Sequence, residues 1–395
     1  MTEPYLQLQE ECKTELNNIL NYWSKNTLDL KHGGFLGQIN HFNVVIPKAS
    51  KGIILNTRIL WSFSAVSNHF QTDDYKKICD RAYNYLKTNF NDSTSKGVYW
   101  ELDYLGNPIN KRKQVYAQAF AIYALSEYYI LSKNEAAKDW AIELFDLIEI
   151  HAKDGDSGYL EAFNENWTPI EDMRLSDKDM NAEKTMNTHL HILEAYTSLL
   201  KIYDDERLKD SLKTLVNIFQ NKFLNNKNHY DLFFDKNWNL LSNTVSYGHD
   251  IETAWLVIEA AKALNDNELL QQVKTTAVQI ANTFLEEALD SKGAVINEKN
   301  LNTNHTDTDR HWWPQVEALV GLKYAYDIKK DKKYIDSSLK IWEFTKKHII
   351  DYENGEWHFR VDKNGKPYTE EDKVSMWKAP YHTSRALILL NKTQK

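Results

Sequence analysis

Cysteine is nearly missing from this chain. The two present among 395 residues, Cys12 and Cys79, form no metal-binding or redox spacing and are too few for a disulfide framework. Proline (7) and glycine (13) are also scarce, which excludes a chain built mainly of short strands and tight turns and points to helices. No stretch approaches the roughly 20 apolar residues that a membrane span requires. The first residues, Met1-Thr2-Glu3-Pro4-Tyr5, show no basic region followed by an apolar run. No signal peptide is therefore expected, and the cytoplasm is the expected location. A basic stripe is lacking too. With a formal net charge of -8, a nucleic-acid partner is excluded on electrostatic grounds. What the chain does have is aromatic surface: 12 Trp, 22 Tyr and 15 Phe, enough for a helix-packed core and for a sugar-binding pocket.

The apolar pattern is helical and it repeats. Residues 5 to 25 read as an amphipathic outer helix, followed by helices from about Ile54 to Phe70 and from Asp73 to Phe90. Short hairpin-like segments recur around Gly34, Gly97, Gly158, His229, Gly293 and Gly355, at intervals of 63, 61, 71, 64 and 62 residues. A period of that length marks a repeat architecture of one hairpin and two helices per unit. Helices directly after a hairpin are apolar nearly all round, as in Ala254 to Ala261, and are expected inside. The following ones are one-sided, with Leu269, Leu270, Val273, Ala277, Ile280 and Phe284 on one face, and are expected outside. If the first helix is outer and the last, about Pro380 to Leu390, is inner, each chain end is half a pair. Pairing them closes a ring. The expected fold is all-α, an (α/α)6 barrel of six inner and six outer helices in one domain over residues 1–395, with hairpins at the inner-helix N-terminal mouth. An open solenoid would want polar units at both ends, and the last helix is not polar.

Polar residues cluster at the start of each inner helix: Asn56-Thr57-Arg58, Gln114-Val115-Tyr116-Ala117-Gln118, Asn187-Thr188-His189-Leu190-His191, Gly248-His249-Asp250-Ile251-Glu252, His311-Trp312-Trp313-Pro314-Gln315-Val316-Glu317 and Trp377 to Arg385. All six share one phase of the repeat, so in a closed ring they meet at one mouth, the default position for an active site. Six helix N-termini aimed there favour an anionic intermediate. Simpler readings apply to some. Pro314 and Pro380 suit a first helical turn, Asn187 suits a helix cap, and Asp250 suits a helix start. His189 and His191 diverge on a helix, so at least one is structural. His191, His249, His382 and Glu252 together could in principle ligate a metal. No pair has H-x-x-x-H spacing, however, and the pit is rich in Trp and Arg, so no metal is expected.

On these segments the whole chain resembles the N-acylglucosamine 2-epimerase superfamily, most closely its members that act on disaccharides. The resemblance implies an (α/α)6 barrel without metal or organic cofactor, often monomeric. It also implies inversion at C2 of the reducing-end glucose of a β-1,4-linked disaccharide such as cellobiose or lactose. By that resemblance His249 and His382 are the acid/base pair, His191 assists at O1 and O2, and Glu252 orients His249. Arg58, Tyr116, Asn187, Trp312, Trp313 and Glu317 hold the reacting sugar, Trp377 stacks on it or on the second sugar, and Asp179 reaches the pocket.

The chemistry agrees with the residue types. Inverting a carbon beside a carbonyl needs ring opening, removal of the C2 proton and return of one to the other face. Two bases that titrate near neutrality suit that task, and histidine is the side chain that does so. The anionic intermediate calls for donors such as Arg58 and a protonated His191. Rivals on the same scaffold are mannose or N-acetylglucosamine 2-epimerisation and aldose–ketose isomerisation. A glycoside hydrolase would need two opposed carboxylates, for which Glu252 and Glu317 are the candidates. A non-catalytic sugar-binding toroid leaves three pit histidines unexplained.

Overall fold

The computed structural model describes residues 3–391. Its helices are α1 (Glu3–Asn26), α2 (Ile53–Phe70), α3 (Lys76–Tyr85), α4 (Val115–Ser132), α5 (Glu135–His151), α6 (Met186–Leu199), α7 (Glu206–Ile218), α8 (Tyr247–Ala263), α9 (Asn267–Glu287), α10 (Trp312–Lys329), α11 (Lys332–Phe344) and α12 (Tyr381–Asn391). The even-numbered helices pack side by side in the order α2, α4, α6, α8, α10, α12 and back to α2, which closes the inner ring. Outer helices back onto them, and α1 lies against α12, so the two chain ends complete one another as the alternation of inner and outer helices predicts. Burial follows that alternation. Every residue of α4 from Val115 to Ser126 is buried, whereas α7 buries one stripe containing Leu208, Leu212, Leu215 and Val216.

The inner and outer helices begin differently. The outer helices α5, α7, α9 and α11 carry side-chain caps from Asn134, Asp205, Asp266 and Asp331. No side chain caps α2, α4, α8 or α10. Instead, the first amide of α2, α4, α6 and α10 donates to a carbonyl in the next unit: Ile53 to Trp100, Val115 to Glu161, Met186 to Leu232 and Trp312 to Phe359. The short strands therefore also pair between units, beyond the pairing inside a hairpin such as Glu101–Leu102 with Pro108–Asn110. Lys51–Gly52 pairs with Glu101–Leu102, Lys113–Gln114 with Ala162–Phe163, Lys184–Thr185 with Phe233–Phe234, Thr244–Ser246 with Glu298–Asn300, and Arg310–His311 with Arg360–Val361. Ile39 bridges Val374 and completes the circuit.

Buried ion pairs fix this stitching. The residue leading into an inner helix holds an aspartate from the turn after the preceding outer helix: Lys51–Asp29 at 2.7 Å, Lys113–Asp92 at 2.6 Å, Lys184–Asp154 at 2.9 Å, Arg310–Asp290 at 2.7 Å and Lys373–Asp351 at 2.6 Å. The aspartate also accepts backbone N–H groups of its own turn, as Asp92 does from Thr94 and Ser95. A second clamp acts one turn into the inner helix. Gln118 takes the N–H of Val98 at 2.8 Å, His189 that of Tyr159 at 2.9 Å, Asp250 that of Tyr230 at 2.8 Å and Gln315 that of Val295 at 2.9 Å. Gly158 is obligatory beside one of these clamps. Its φ is +93°, and a Cβ there would lie 2.6 Å from His189 Nε2.

His189 is thus the structural histidine of its segment. Nδ1–H donates to the Thr185 carbonyl at 2.7 Å and Nε2 accepts from Tyr159, so protonation would break the second bond. Burial holds its pKa down at about 4, against 6.5 for an ordinary imidazole. Between those values the unfolded chain binds a proton that the folded chain refuses, so stability falls as pH drops from 6.5 towards 4. The shift corresponds to about 3 kcal/mol. Glutamine makes the same clamp in α4 and α10. His189→Gln is therefore expected to fold and to flatten this part of the stability–pH curve, measured by urea unfolding between pH 4 and 7.

Candidate active site

A pit of about 170 Å³ opens at the N-terminal mouth of the inner ring, and all six inner helices contribute to its wall. Arg58 comes from α2, Tyr116 from α4, Asn187 and His191 from α6, and His249 and Glu252 from α8. Trp312 and Trp313 come from α10, His382 from α12, and Trp377 and Phe359 from the rim. Arg58 is held by the Tyr116 hydroxyl at 3.0 Å and the Trp377 carbonyl at 3.3 Å. Asn187 does not cap its helix. Thr185 does: its hydroxyl accepts from the Thr188 amide at 3.1 Å and donates to Glu161 Oε1 at 2.7 Å. Asn187 Oδ1, Trp312 Nε1 and Arg58 Nε are buried polar atoms with no hydrogen-bond partner among the described residues. They are the groups that a polyhydroxylated ligand would satisfy.

Beneath the pit lies one guanidinium. Arg385 donates from Nη1 to Glu194 Oε1 and the Tyr381 hydroxyl, and from Nη2 to Glu252 Oε1 and, at 2.7 Å, to Glu317 Oε1. All these groups are buried. Burial alone would raise the Glu194 pKa, but the Arg385 charge and the His191 bond bring it down to about 2. Burial raises that of Glu317, and Arg385 opposes it.

These carboxylates orient the histidines. His382 Nδ1 donates to Glu317 Oε1 at 2.8 Å and His191 Nδ1 donates to Glu194 Oε2 at 3.1 Å. His249 Nδ1 instead lies 2.8 Å from the Ser246 hydroxyl. In all three rings Nδ1 is engaged, and Nε2 has no hydrogen-bond partner among the described residues. Both His249 and His382 pack on Trp313, with ring centroids 4.8 and 5.4 Å away. Burial lowers the pKa of all three: His249 to about 4, His191 below 6.5, and His382 further below it, where Arg58 and Arg385 add to burial and Glu252 opposes them. At neutral pH these imidazoles rest uncharged and ready to accept a proton.

The expected residues therefore converge, with three corrections. Glu252 does not orient His249, because Arg385 takes its carboxylate and Ser246 fills the place at Nδ1. Glu317 is not on the pit wall; it is sealed under His382, where Trp255 Nε1 also donates to it at 3.2 Å. Asp179 lines an adjoining cavity of about 280 Å³ together with Arg174, Phe233 and Glu298, and this cavity shares Asn187 and His249 with the pit. Glu194, Ser246 and Arg385 were not singled out from sequence. The spacing His191-x-x-Glu194 repeats that of His249-x-x-Glu252 and could have revealed the first of them. Glu252, Glu317 and His382 form a possible metal-ligand group beneath the pit, and the Arg385 cation already bonds both of its carboxylates.

The sequence pattern of the N-acylglucosamine 2-epimerase (GlcNAc 2-epimerase) family matches residues 34–386. The chain belongs to this family. It is 43% identical over 386 residues to the cellobiose 2-epimerase of Bacteroides fragilis, covering 97% of this chain and 98% of that one. A solved sugar epimerase from a ruminal bacterium superposes with a TM-score of 0.93 at 36% identity, over 97% of this chain and 98% of that one. The cellobiose 2-epimerase of Bacillus thermoamylovorans superposes with a TM-score of 0.91 at 36% identity, over the same shares. The (α/α)6 ring of this family is thus the fold that the helix alternation predicts.

The Arg385 cluster has a direct consequence for stability. Arg385→Met leaves Glu194, Glu252 and Glu317 buried without their cation and is expected to cost about 3–5 kcal/mol. Adding Glu252→Gln to Arg385→Met should recover part of that loss, read from urea unfolding at pH 7.

Proposed function

We propose that this chain is a cellobiose 2-epimerase, acting as a single-domain monomer in the cytoplasm. The observation that carries the reading is the pair His249 and His382. They are donated by inner helices on either side of α10, packed on one indole, and each has its Nε2 unbonded towards the same pit. The relatives' shared activity supports it, as do the unpaired donors and acceptor in the pit.

With the reducing-end sugar opened in the pit, one imidazole removes the C2 proton and becomes imidazolium. The electron pair moves into the C1–C2 bond, giving an enediolate with charge on O1. The other imidazole, first charged with a proton from solvent, returns it to C2 from the opposite face, and the carbonyl reforms. Glu317, itself bound to Arg385, stabilises His382 while it carries the proton. Arg58 is placed to donate to O1 and O2, and His191 joins it once protonated, which lowers the barrier through preorganised charge. Asn187 and Trp312 offer buried polar atoms to the remaining hydroxyls, and the Trp313 and Trp377 rings give apolar faces to the sugar. The adjoining cavity with Asp179 and Glu298 has room for the second sugar of a disaccharide. Hydrolysis suits the site poorly. The available Glu252 and Glu317 ligand atoms lie within 4.8 Å of one another and both hold Arg385, whereas hydrolytic carboxylates stand about 5–9.5 Å apart across the bond.

Cellobiose incubated with the enzyme in D2O should yield glucosyl-mannose with deuterium at C2. Release of free glucose, or a ketose as the main product, would overturn the proposal, and mannose and N-acetylglucosamine in parallel tests rank the alternatives. His249→Ala and His382→Ala should each lower kcat by roughly 10²–10⁴. A smaller loss in either variant would remove that residue from the acid/base pair.

A further inference from the structure

Ser246 is the residue immediately before α8, the position from which a serine ordinarily accepts a hydrogen bond from the second or third amide of a helix. Here it makes no such bond. Its buried hydroxyl is turned instead onto His249 Nδ1, at 2.8 Å. The equivalent residue before α6, Thr185, does accept from its helix, so the fold itself does not forbid the cap. The other two pit histidines are bonded at Nδ1 by carboxylates, Glu194 and Glu317. His249 alone has an uncharged partner.

We infer that Ser246 is a positioning residue of this site, whose hydroxyl fixes the His249 ring by Nδ1 while placing no charge beside it, so that His249 meets the substrate neutral and aimed by Nε2. The inference rests on the acid/base role proposed for His249. A carboxylate at Nδ1 stabilises an imidazolium; a hydroxyl orients the ring and leaves it a weak base. The two sides of the pit then differ in kind. His382 meets at Nδ1 a carboxylate that Arg385 shares, and His249 meets a hydroxyl. The charged and titratable groups around His249 do not perform the serine's task. Glu252 on its own helix is taken by Arg385. His191, His382 and Arg58 face it across the pit, and Arg174, Lys178, Asp179 and Glu298 across the adjoining cavity. None of them is hydrogen-bonded to His249 among the described residues.

Three variants test this. Ser246→Ala removes the tether, and because no helix cap is lost, its melting temperature should match that of the parent. Its kcat on cellobiose should fall about 10–100-fold with KM nearly unchanged, while Ser246→Thr retains the hydroxyl and most of the rate. Ser246→Asp places a carboxylate at Nδ1 and should raise the His249 pKa by about one unit or more, read by NMR titration of the ligand-free protein labelled with 15N-histidine. The acid limb of kcat/KM should move up with it. A Ser246→Ala enzyme with wild-type kcat, or a folded Ser246→Asp protein whose His249 titrates as in the parent, overturns the inference. Should Ser246→Asp not fold, the alanine and threonine pair decides the matter through kcat. Since the titration needs no substrate, a wrong substrate assignment shows separately, as a parent enzyme that leaves cellobiose unchanged.

Discussion

One guanidinium under the floor of the ring governs the site. Arg385 is surrounded by Glu194, Glu252 and Glu317, and this is an expensive place for charge, because each ion has left water. The cluster holds because Arg385 bonds all three carboxylates and two of them are bonded further. Glu194 binds Arg385, Tyr381 and His191, and Glu317 binds Arg385, Trp255 and His382. The orientation of two imidazoles is therefore set from below by a cation that need not touch the ligand. Such a network trades stability for position, as buried ionic groups commonly do at functional sites.

Around this centre the six units share their scaffolding but not their chemistry. Five units clamp the approach to the inner helix with a buried lysine or arginine on an aspartate. The unit that contains α8 departs from the pattern. There Asn225 stands where the others have aspartate, and Asp250 holds both His229, at 2.7 Å, and the Tyr230 amide. That same unit supplies His249. Within α4, α6, α8 and α10, position then decides function: the residue one turn in faces the preceding hairpin, and residues one to three positions from it face the pit. His189 and His191, two residues apart, fall on opposite sides of that division.

The fold was legible because it depends on periodicity. Apolar residues on nearly all sides of α4 and α8, against a single stripe on α7 and α9, separate inside from outside without any knowledge of contacts. The convergence of the pit was legible because identical phase in a closed ring means one mouth. What periodicity does not carry is the partner of each side chain. His249 and Glu252 share a helix face, as do His191 and Glu194, yet only the second pair is bonded, because Arg385 from α12 competes for Glu252. Likewise Glu317 reads as a pit residue by phase, and its burial beneath His382 depends on how α10 and α12 pack. Asp179 lies in the long connection before α6, where no repeat phase applies.

The cross-unit strand pairs also bear on how a ligand gets in. Each inner helix begins in a strand that is hydrogen-bonded to the following unit, and the Ile39–Val374 bridge leaves no break in the circuit. A hairpin hinged outward by itself would pull on the first turn of a neighbouring inner helix and so on the residues that line the pit. The rim thus behaves as a collar, and admission and release must be shared around its circumference instead of falling to one independent flap.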